Sequence, residues 1–408
     1  MFAEVCDELF KDDVVLHRLQ DKNFDLVIAC VLSPCGALLG HYLNRPFVLV
    51  STDRMNPVWN AGMYNVPNNP AYIPCLGTGL TDKMTFWDRV YNTAFFIAQY
   101  IEFNMALVKF GAIQQKNNIR PDLGIRDLYG DAELFLFNID FTSSSPRPLM
   151  PNTIYLGGYF TEPGRPLDKD LEDFINSSGK HGVVIFALGT YQVLTNTQFK
   201  RFAAALGRLP QKVIAKYGGG DTPDYLKNTT KFKLLKWIPQ NDLLGHPKTK
   251  ALVYHGGVNG IQEAIYHAIP VVGMPIFWDQ YDNVQLLVER GMAVALDVNT
   301  MTSEDLYQAT TKVIEDPKYK ENALRLSRIN RDRPMQPKEL FIFWIEYIIR
   351  HGGTHLRSQA ANLNAFQYYL IDVIAFLAII SVIAGLAILK TCRFFRRAFH
   401  AKKKEKKH

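Results

Sequence analysis

ALVYHGGVNGIQEA, residues 251–264, reads as a short apolar strand, a turn of two glycines and the opening of a helix. The apolar run 251–254 ends at His255, Gly256 and Gly257 permit a tight turn, and a helix begins near Asn259. A helix start leaves N–H donors unpaired and carries the positive end of the helix dipole. Glycines in front of it let an anionic group come close to the backbone. His255 offers a further hydrogen bond or charge, and Asn259 and Glu263, four residues apart, share one helix face. A capped helix with a solvated Glu has the same local sequence, so the neighbouring segments decide between the two.

Those neighbours repeat the pattern. Strands are expected at 183–188 (VVIFAL), 212–217, 232–237, 251–254, 270–277 (PVVGMPIF) and 292–298, with helices at 197–206, 259–268, 281–290 and 303–315. Nearer the amino terminus, 24–30 (FDLVIAC) and 46–51 (PFVLVS) read as strands and 34–43 as the helix between them. Residues 82–118 read as one long helix. Its apolar middle, 93–101 (TAFFIAQYI), suits core packing first and a membrane surface second. TEPGRPLDK, 161–169, has the composition of a linker. Alternating strands and helices on both sides of it predict two doubly wound α/β domains joined near residue 165, with ligands beyond the carboxyl ends of the strands.

Three more strand ends carry polar chemistry. FALGT, 186–190, ends with Thr190, a hydroxyl beside free backbone N–H groups. WIPQ, 237–240, sets the Trp237 indole, able to stack on a flat base, beside the donor and acceptor of Gln240. FWDQ, 277–280, pairs Asp279 with Gln280, a carboxylate and a carboxamide suited to sugar hydroxyls.

Composition narrows the class. The 408 residues are 48% hydrophobic and 21% charged, an ordinary globular profile that excludes a disordered or collagen-like chain. The net charge of +7 is not spread over the surface. Past Leu389 the tail holds nine Lys and Arg against Glu405, so the preceding 389 residues sum to −1, which argues against a nucleic-acid partner. Residues 370–389, LIDVIAFLAIISVIAGLAIL, hold one charge, Asp372, and as a helix would be about 30 Å long, the thickness of a bilayer core. Tyr368 and Tyr369 flank one end and the basic tail the other. The positive-inside rule then puts residues 390–408 in the cytoplasm and the body in a lumen. The final KEKKH resembles an endoplasmic-reticulum retrieval signal. Sequons at Asn176 and Asn228 are candidate glycosylation sites for a lumenal body. The first fifteen residues contain no uninterrupted apolar stretch of signal length, so either a tail-anchored cytosolic body or an amino-terminally shortened chain is expected. Cys6, Cys30, Cys35, Cys75 and Cys392 show neither zinc nor disulfide-scaffold spacing and read as buried thiols.

The run 237–280, WIPQNDLLGHPKTKALVYHGGVNGIQEAIYHAIPVVGMPIFWDQ, resembles the donor-binding signature of the UDP-glycosyltransferases, and of the animal UDP-glucuronosyltransferases in particular. The resemblance extends through FDLVIACVLSPC, PNTIYLGGY, FALGT, TMTSEDLYQA and FWIEYIIRHGGTHLR to the carboxy-terminal anchor. It implies a GT-B fold, two facing Rossmann-like domains of which the first is incomplete here, plus a transmembrane helix. The expected divisions are 1–164 for acceptor binding, 165–346 for the UDP-sugar donor, 347–369 as an amphipathic juxtamembrane segment, 370–389 as the span and 390–408 as the tail.

By motif match the resemblance implies that Trp237 stacks on uracil with Gln240 near it and that Glu263 holds the ribose. Thr190, His255, Gly257 and Asn259 would contact the diphosphate, and Asp279 and Gln280 the sugar. It implies inverting transfer to a small lipophilic acceptor and neither metal nor cofactor beyond the UDP-sugar co-substrate. It also implies residence in the endoplasmic-reticulum membrane and association with related transferases in homo- or hetero-oligomers. Transfer in the family uses a His base and an Asp that orients it. No His here matches that motif, His17 lying outside it, and Cys30 stands at the expected Asp position. Ala215 and Lys216 replace the usual Trp-Arg, and Trp278 replaces a small residue before Asp279. Two readings follow, a transferase in shortened form and a non-catalytic UDP-sugar-binding relative.

Overall fold

Short runs of β-branched and aromatic residues, broken by Gly, Pro and Asn, form two wholly parallel sheets. The structure is a computed structural model that describes residues 2–405 except 52–55, 63–65, 190–195, 219–222 and 228. The first sheet runs in the order β1 (Val27–Cys30), β2 (Phe47–Ser51), β3 (Leu134–Phe137) and β4 (Thr153–Tyr155). The remaining strands are β5 (Val183–Ala187), β6 (Lys212–Lys216), β7 (Phe232–Leu235), β8 (Thr249–Tyr254), β9 (Val271–Gly273) and β10 (Ala293–Ala295). They form a second sheet in the order β10-β9-β8-β5-β6-β7. The strand order reverses between β5 and β8, which makes the crevice at their carboxyl ends the place where a doubly wound sheet receives ligands.

Both sheets are buried between helices, as the apolar strands require. Val184, Phe186, Val213 and Val253 meet Phe199, Phe202, Leu306 and Val313 on one face of the second sheet. Ile185, Ile214 and Leu252 meet Ile261, Ile265, Leu287 and Leu326 on the other. The chain then returns to the first sheet. Helix Pro337–His351 lays Leu340, Phe341, Trp344, Ile345 and Ile348 against Val48, Leu134, Leu136 and Leu156. Just beyond it the Gly353 amide donates to Glu133 at 2.5 Å and Arg357 pairs with Asp131 and Glu133.

The long helix spans Phe86–Lys116 and starts at a reciprocal cap in which the Thr85 hydroxyl and Asp88 carboxylate satisfy each other's backbone amides. Phe103, Leu107, Phe110 and Ile113 enter the first core, as core packing requires. Trp87, Ile101, Met105 and Val108, on another face, are exposed.

Residues 358–408 form a separate unit. Its 35-residue helix, Ile371–Glu405, contains one stretch, Ile371–Arg397, long and apolar enough to cross a membrane, and none of that stretch is buried.

The cysteines depart from the expectation of buried thiols. Cys6 and Cys35 form a disulfide, Cys30 and Cys392 are exposed, and Cys75 alone is a buried thiol. The pair is 29 residues apart. It is brought together because helix Phe2–Leu9 covers the first sheet beside helix Cys35–Tyr42, with Phe10 edge-on to Tyr42.

Candidate donor site at the switch point of the second sheet

β8 ends at Tyr254, and His255, Gly256 and Gly257 turn the chain into helix Val258–Tyr266. Gly256 sits at φ +93°, and a Cβ there would come within 2.6 Å of Val284 and 2.9 Å of the Gln280 carbonyl. A Cβ on Gly257 would lie 2.7 Å from His255 Nε2. The two glycines therefore make room first for the protein's own helix and imidazole, and only through them for a ligand.

Around this turn a cavity of about 430 Å³ opens between strand ends. It is lined by Ala187 and Gly189 at the end of β5, Lys216 of β6, Trp237 and Gln240 after β7, Tyr254, His255 and Gly257 at the end of β8, and Asn259, Glu263 and Asp279. Seven of the residues singled out in the sequence thus meet in one cavity: Trp237, Gln240, His255, Gly257, Asn259, Glu263 and Asp279. Gln280 does not line it. Its side-chain oxygen accepts the amides of Ile276 (2.9 Å) and Phe277 (3.3 Å), which turns the chain after β9. Thr190 and Asn228 lie outside the described residues. Asn176 is exposed at the end of helix Lys169–Asn176, where its amide donates to Glu172.

The electrostatics are those of a desolvated polar pocket. Gln240 Nε2 donates to Glu263 Oε2 at 2.6 Å. Burial raises the Glu263 carboxyl to about 7, against the lowering effect of the Gln240 bond and with a smaller raising effect of Asp242. Burial, and then the Lys216 ammonium, lower His255 to about 4, so its imidazole is neutral at pH 7. His255 Nδ1 is buried with no hydrogen-bond partner among the described residues, while its ring lies edge-on to Tyr254. Trp237 stands 69% exposed at the mouth. Asp279 is buried, and its Oδ2 accepts from Asn283 Nδ2 at 2.7 Å, the same amide that reaches the Gly256 carbonyl at 2.9 Å.

Lys216 was missed as a lining residue. Its ammonium donates to the Gly189 carbonyl at 2.6 Å and lies 5.3 Å from the centre of the Trp237 ring. A lysine closing the strand KVIAK after three apolar residues is the signal that marks it. Trp278, at φ +57° and half exposed, holds a left-handed conformation unusual for a bulky side chain.

The cavity lining comes from the second half alone, but the first half reaches residues beside it. After β3, Asn138 Nδ2 donates to Asn259 Oδ1 at 3.0 Å. Asp140, two residues on, accepts from Arg333 and Asn330, each at 2.6 Å. Asp282 of helix Gln280–Glu289 accepts the amides of Gly77 (2.6 Å) and Gly79 (2.9 Å). Cys30 closes β1 and is exposed.

Comparison with known proteins agrees with this geometry. The sequence model of the family described as "UDP-glucoronosyl and UDP-glucosyl transferase" matches residues 1–407. UDP-glucuronosyltransferase 2A1 of Mus musculus is 40% identical over 408 residues, covering 99% of this chain and 76% of the relative. UDP-glucuronosyltransferase 2B13 of Oryctolagus cuniculus is 41% identical over 417 residues, covering 100% of this chain and 77% of the relative. Among solved structures, the glycosyltransferase of kitacinnamycin superposes with a TM-score of 0.61 at 18% identity, over 84% of this chain and 82% of its own. The glycosyltransferase VinC, in complex with dTDP, superposes at 0.56 and 18% identity, over 86% and 79%. These structural likenesses carry the GT-B fold. With two parallel sheets, a cavity at the strand ends of the second and a sequence match along almost all its length, the chain belongs to the UDP-glucuronosyl and UDP-glucosyl transferase family.

Proposed function

We propose that the cavity of the second sheet holds a UDP-sugar, UDP-glucuronate foremost, and that the chain transfers the sugar with inversion to a hydroxyl of a small lipophilic acceptor such as a steroid or phenol. The observation that carries this is the convergence of Trp237, the Gln240–Glu263 pair, His255, Asn259 and Asp279 on one cavity at the switch point. Trp237 offers a flat exposed face to uracil, with Gln240 beside it. Glu263 accepts a ribose hydroxyl, and the Gln240 amide holds its carboxyl in place. Neutral His255, the backbone at Gly257, and Asn259 contact the diphosphate at the positive end of helix Val258–Tyr266, and Thr190 is assigned to it by its motif alone. Asp279 belongs to the sugar, and Gln280, outside the cavity lining, holds the turn after β9 that carries it. The UDP-sugar serves as co-substrate, without a resident metal or cofactor.

The basic tail, the sequons and the carboxy-terminal lysines support a single-pass protein of the endoplasmic-reticulum membrane, with its body lumenal and tail cytoplasmic. A second reading, a non-catalytic UDP-sugar-binding relative acting through association with related transferases, is favoured by Cys30. A thiol lacks the pair of acceptor oxygens with which a carboxylate holds a partner side chain, so Cys30 cannot take the part of the carboxylate expected there.

The test has two parts. UDP should raise the melting temperature of the full chain, and Trp237→Ala or Glu263→Ala should abolish that shift. A shift unchanged by both substitutions would overturn the donor site. UDP release is then measured with a panel of phenols and steroids. Acceptor-dependent release by the native sequence supports the transferase, whereas release that appears only after Cys30→Asp, or not at all, supports the second reading.

A further inference from the structure

Asn138 sits where β3 leaves the first sheet, and its position is fixed from every side. Its backbone amide donates to the Ser51 carbonyl at 3.0 Å and its carbonyl accepts from Gln262 Nε2 at 3.3 Å. Its side-chain oxygen accepts two backbone amides, those of Gly158 and Tyr159, both at 2.9 Å. A backbone N–H can only donate, so these two bonds decide which end of the Asn138 carboxamide is oxygen. The other end must be the NH2 group, and it donates to Asn259 Oδ1 at 3.0 Å. With its oxygen held by Asn138, the Asn259 carboxamide has its own NH2 left to offer the cavity it lines.

From this relay we infer that Asn138, in the first half of the chain, is a positioning residue that turns the Asn259 amide so that N–H groups, not the carbonyl oxygen, face a diphosphate in the second half. The inference rests on the reading of the cavity as a UDP-sugar site. Phosphate oxygens at neutral pH only accept hydrogen bonds. An Asn259 turned the other way would set oxygen against oxygen. The correct face therefore depends on two amides, at Gly158 and Tyr159, that never touch the ligand.

The test compares UDP with uridine, which lacks the phosphates, by titration calorimetry on the full chain. Hydrogen bonds to charged groups are the strong ones. Asn138→Asp keeps an acceptor for the Gly158 and Tyr159 amides but has no N–H for Asn259. It should weaken UDP about 10-fold or more and leave uridine unchanged. Asn138→Ser, neutral and too short to bridge, should act in the same direction and serves if the aspartate does not fold. In an Asn259→Ala background neither substitution should weaken UDP further, because the group being turned is gone. A loss that persists in that background, or one shared equally by uridine, would overturn the inference in favour of plain charge repulsion or a structural effect. If the native chain binds UDP more tightly than uridine and the Asn138 variants keep that advantage, this inference fails and the donor site stands. If the native chain shows no UDP advantage, the donor-site reading fails and takes this one with it.

Discussion

Glu263 shows how a single residue joins stability to chemistry. Its carboxyl is raised from an ordinary 4.5 to about 7 by burial, so the folded chain binds this proton more tightly than the unfolded chain. The resulting stabilisation is complete below about pH 4.5 and is lost as pH rises through about 7. His255, lowered to about 4, works in the opposite sense: its contribution is lost as pH falls from 6.5 towards 4. Comparing a variant with the native chain at each pH isolates the carboxyl. Glu263→Gln should gain on the native chain between pH 5 and pH 7.5 by on the order of 1–3 kcal/mol in chemical denaturation. An equal difference at both pH values would mean that the carboxyl is not desolvated. Glu263 and His255 were legible in the sequence because each is set by its own strand and turn. Lys216 was legible only as a departure within its strand, since its meeting with Trp237 and Gly189 depends on β6 ending beside β7. The Cys6–Cys35 bond was hidden for the same reason, being set by two helices that meet across the first core.

Among the elements, the segment 138–143 does most to join the two sheets. The Asp140 carboxylate takes Thr142 Oγ1 at 2.5 Å and the Thr142 amide at 2.9 Å within its own turn, and Arg333 and Asn330 from helix Pro317–Arg331 and the residues after it. Arg333 and Asp140 are largely buried. Removing one partner of such a pair leaves an uncompensated charge. Arg333→Ala should therefore destabilise the chain by about 2–4 kcal/mol. In combination with Asp140→Asn the loss should be clearly less than additive. Additive losses in denaturant titrations would show that the ion pair contributes nothing of its own.

Element boundaries were legible wherever a cap or an apolar run was strong, as in Ser303–Glu315, whose ends match the expected 303–315. The expected strand 270–277 shrinks to Val271–Gly273, because Pro275 has no N–H for a ladder and Gln280 takes the next two amides. β3 and β4 were not anticipated. LFLF and TIY are too short to show a period, and their partners are distant in sequence.

At the scale of the whole molecule the chain is a body with a tether, and both were visible beforehand in composition alone. The tether makes a direct prediction: the full chain should stay with membranes through alkaline carbonate washing, and a chain ending at residue 357 should be released. Retention of the shortened chain would assign membrane binding to the body, where the exposed Trp87, Ile101, Met105 and Val108 would be the first place to look.

The return of helix Pro337–His351 to the first sheet has a mechanical meaning. The chain leaves the body at Arg357, and the residues just before that exit are fastened to Asp131 and Glu133, at the amino-terminal edge of β3. Any pull, drag or jostling passed along the tether is therefore delivered to the first sheet. It passes on to the second half through contacts that include Asp140–Arg333, Asn138–Asn259, Gln262–Ser143 and Asp282 with the Gly77 and Gly79 amides. The sheet with the cavity follows the other like a second carriage behind the coupled one, and one of the couplings, Asn138–Asn259, ends at the cavity itself.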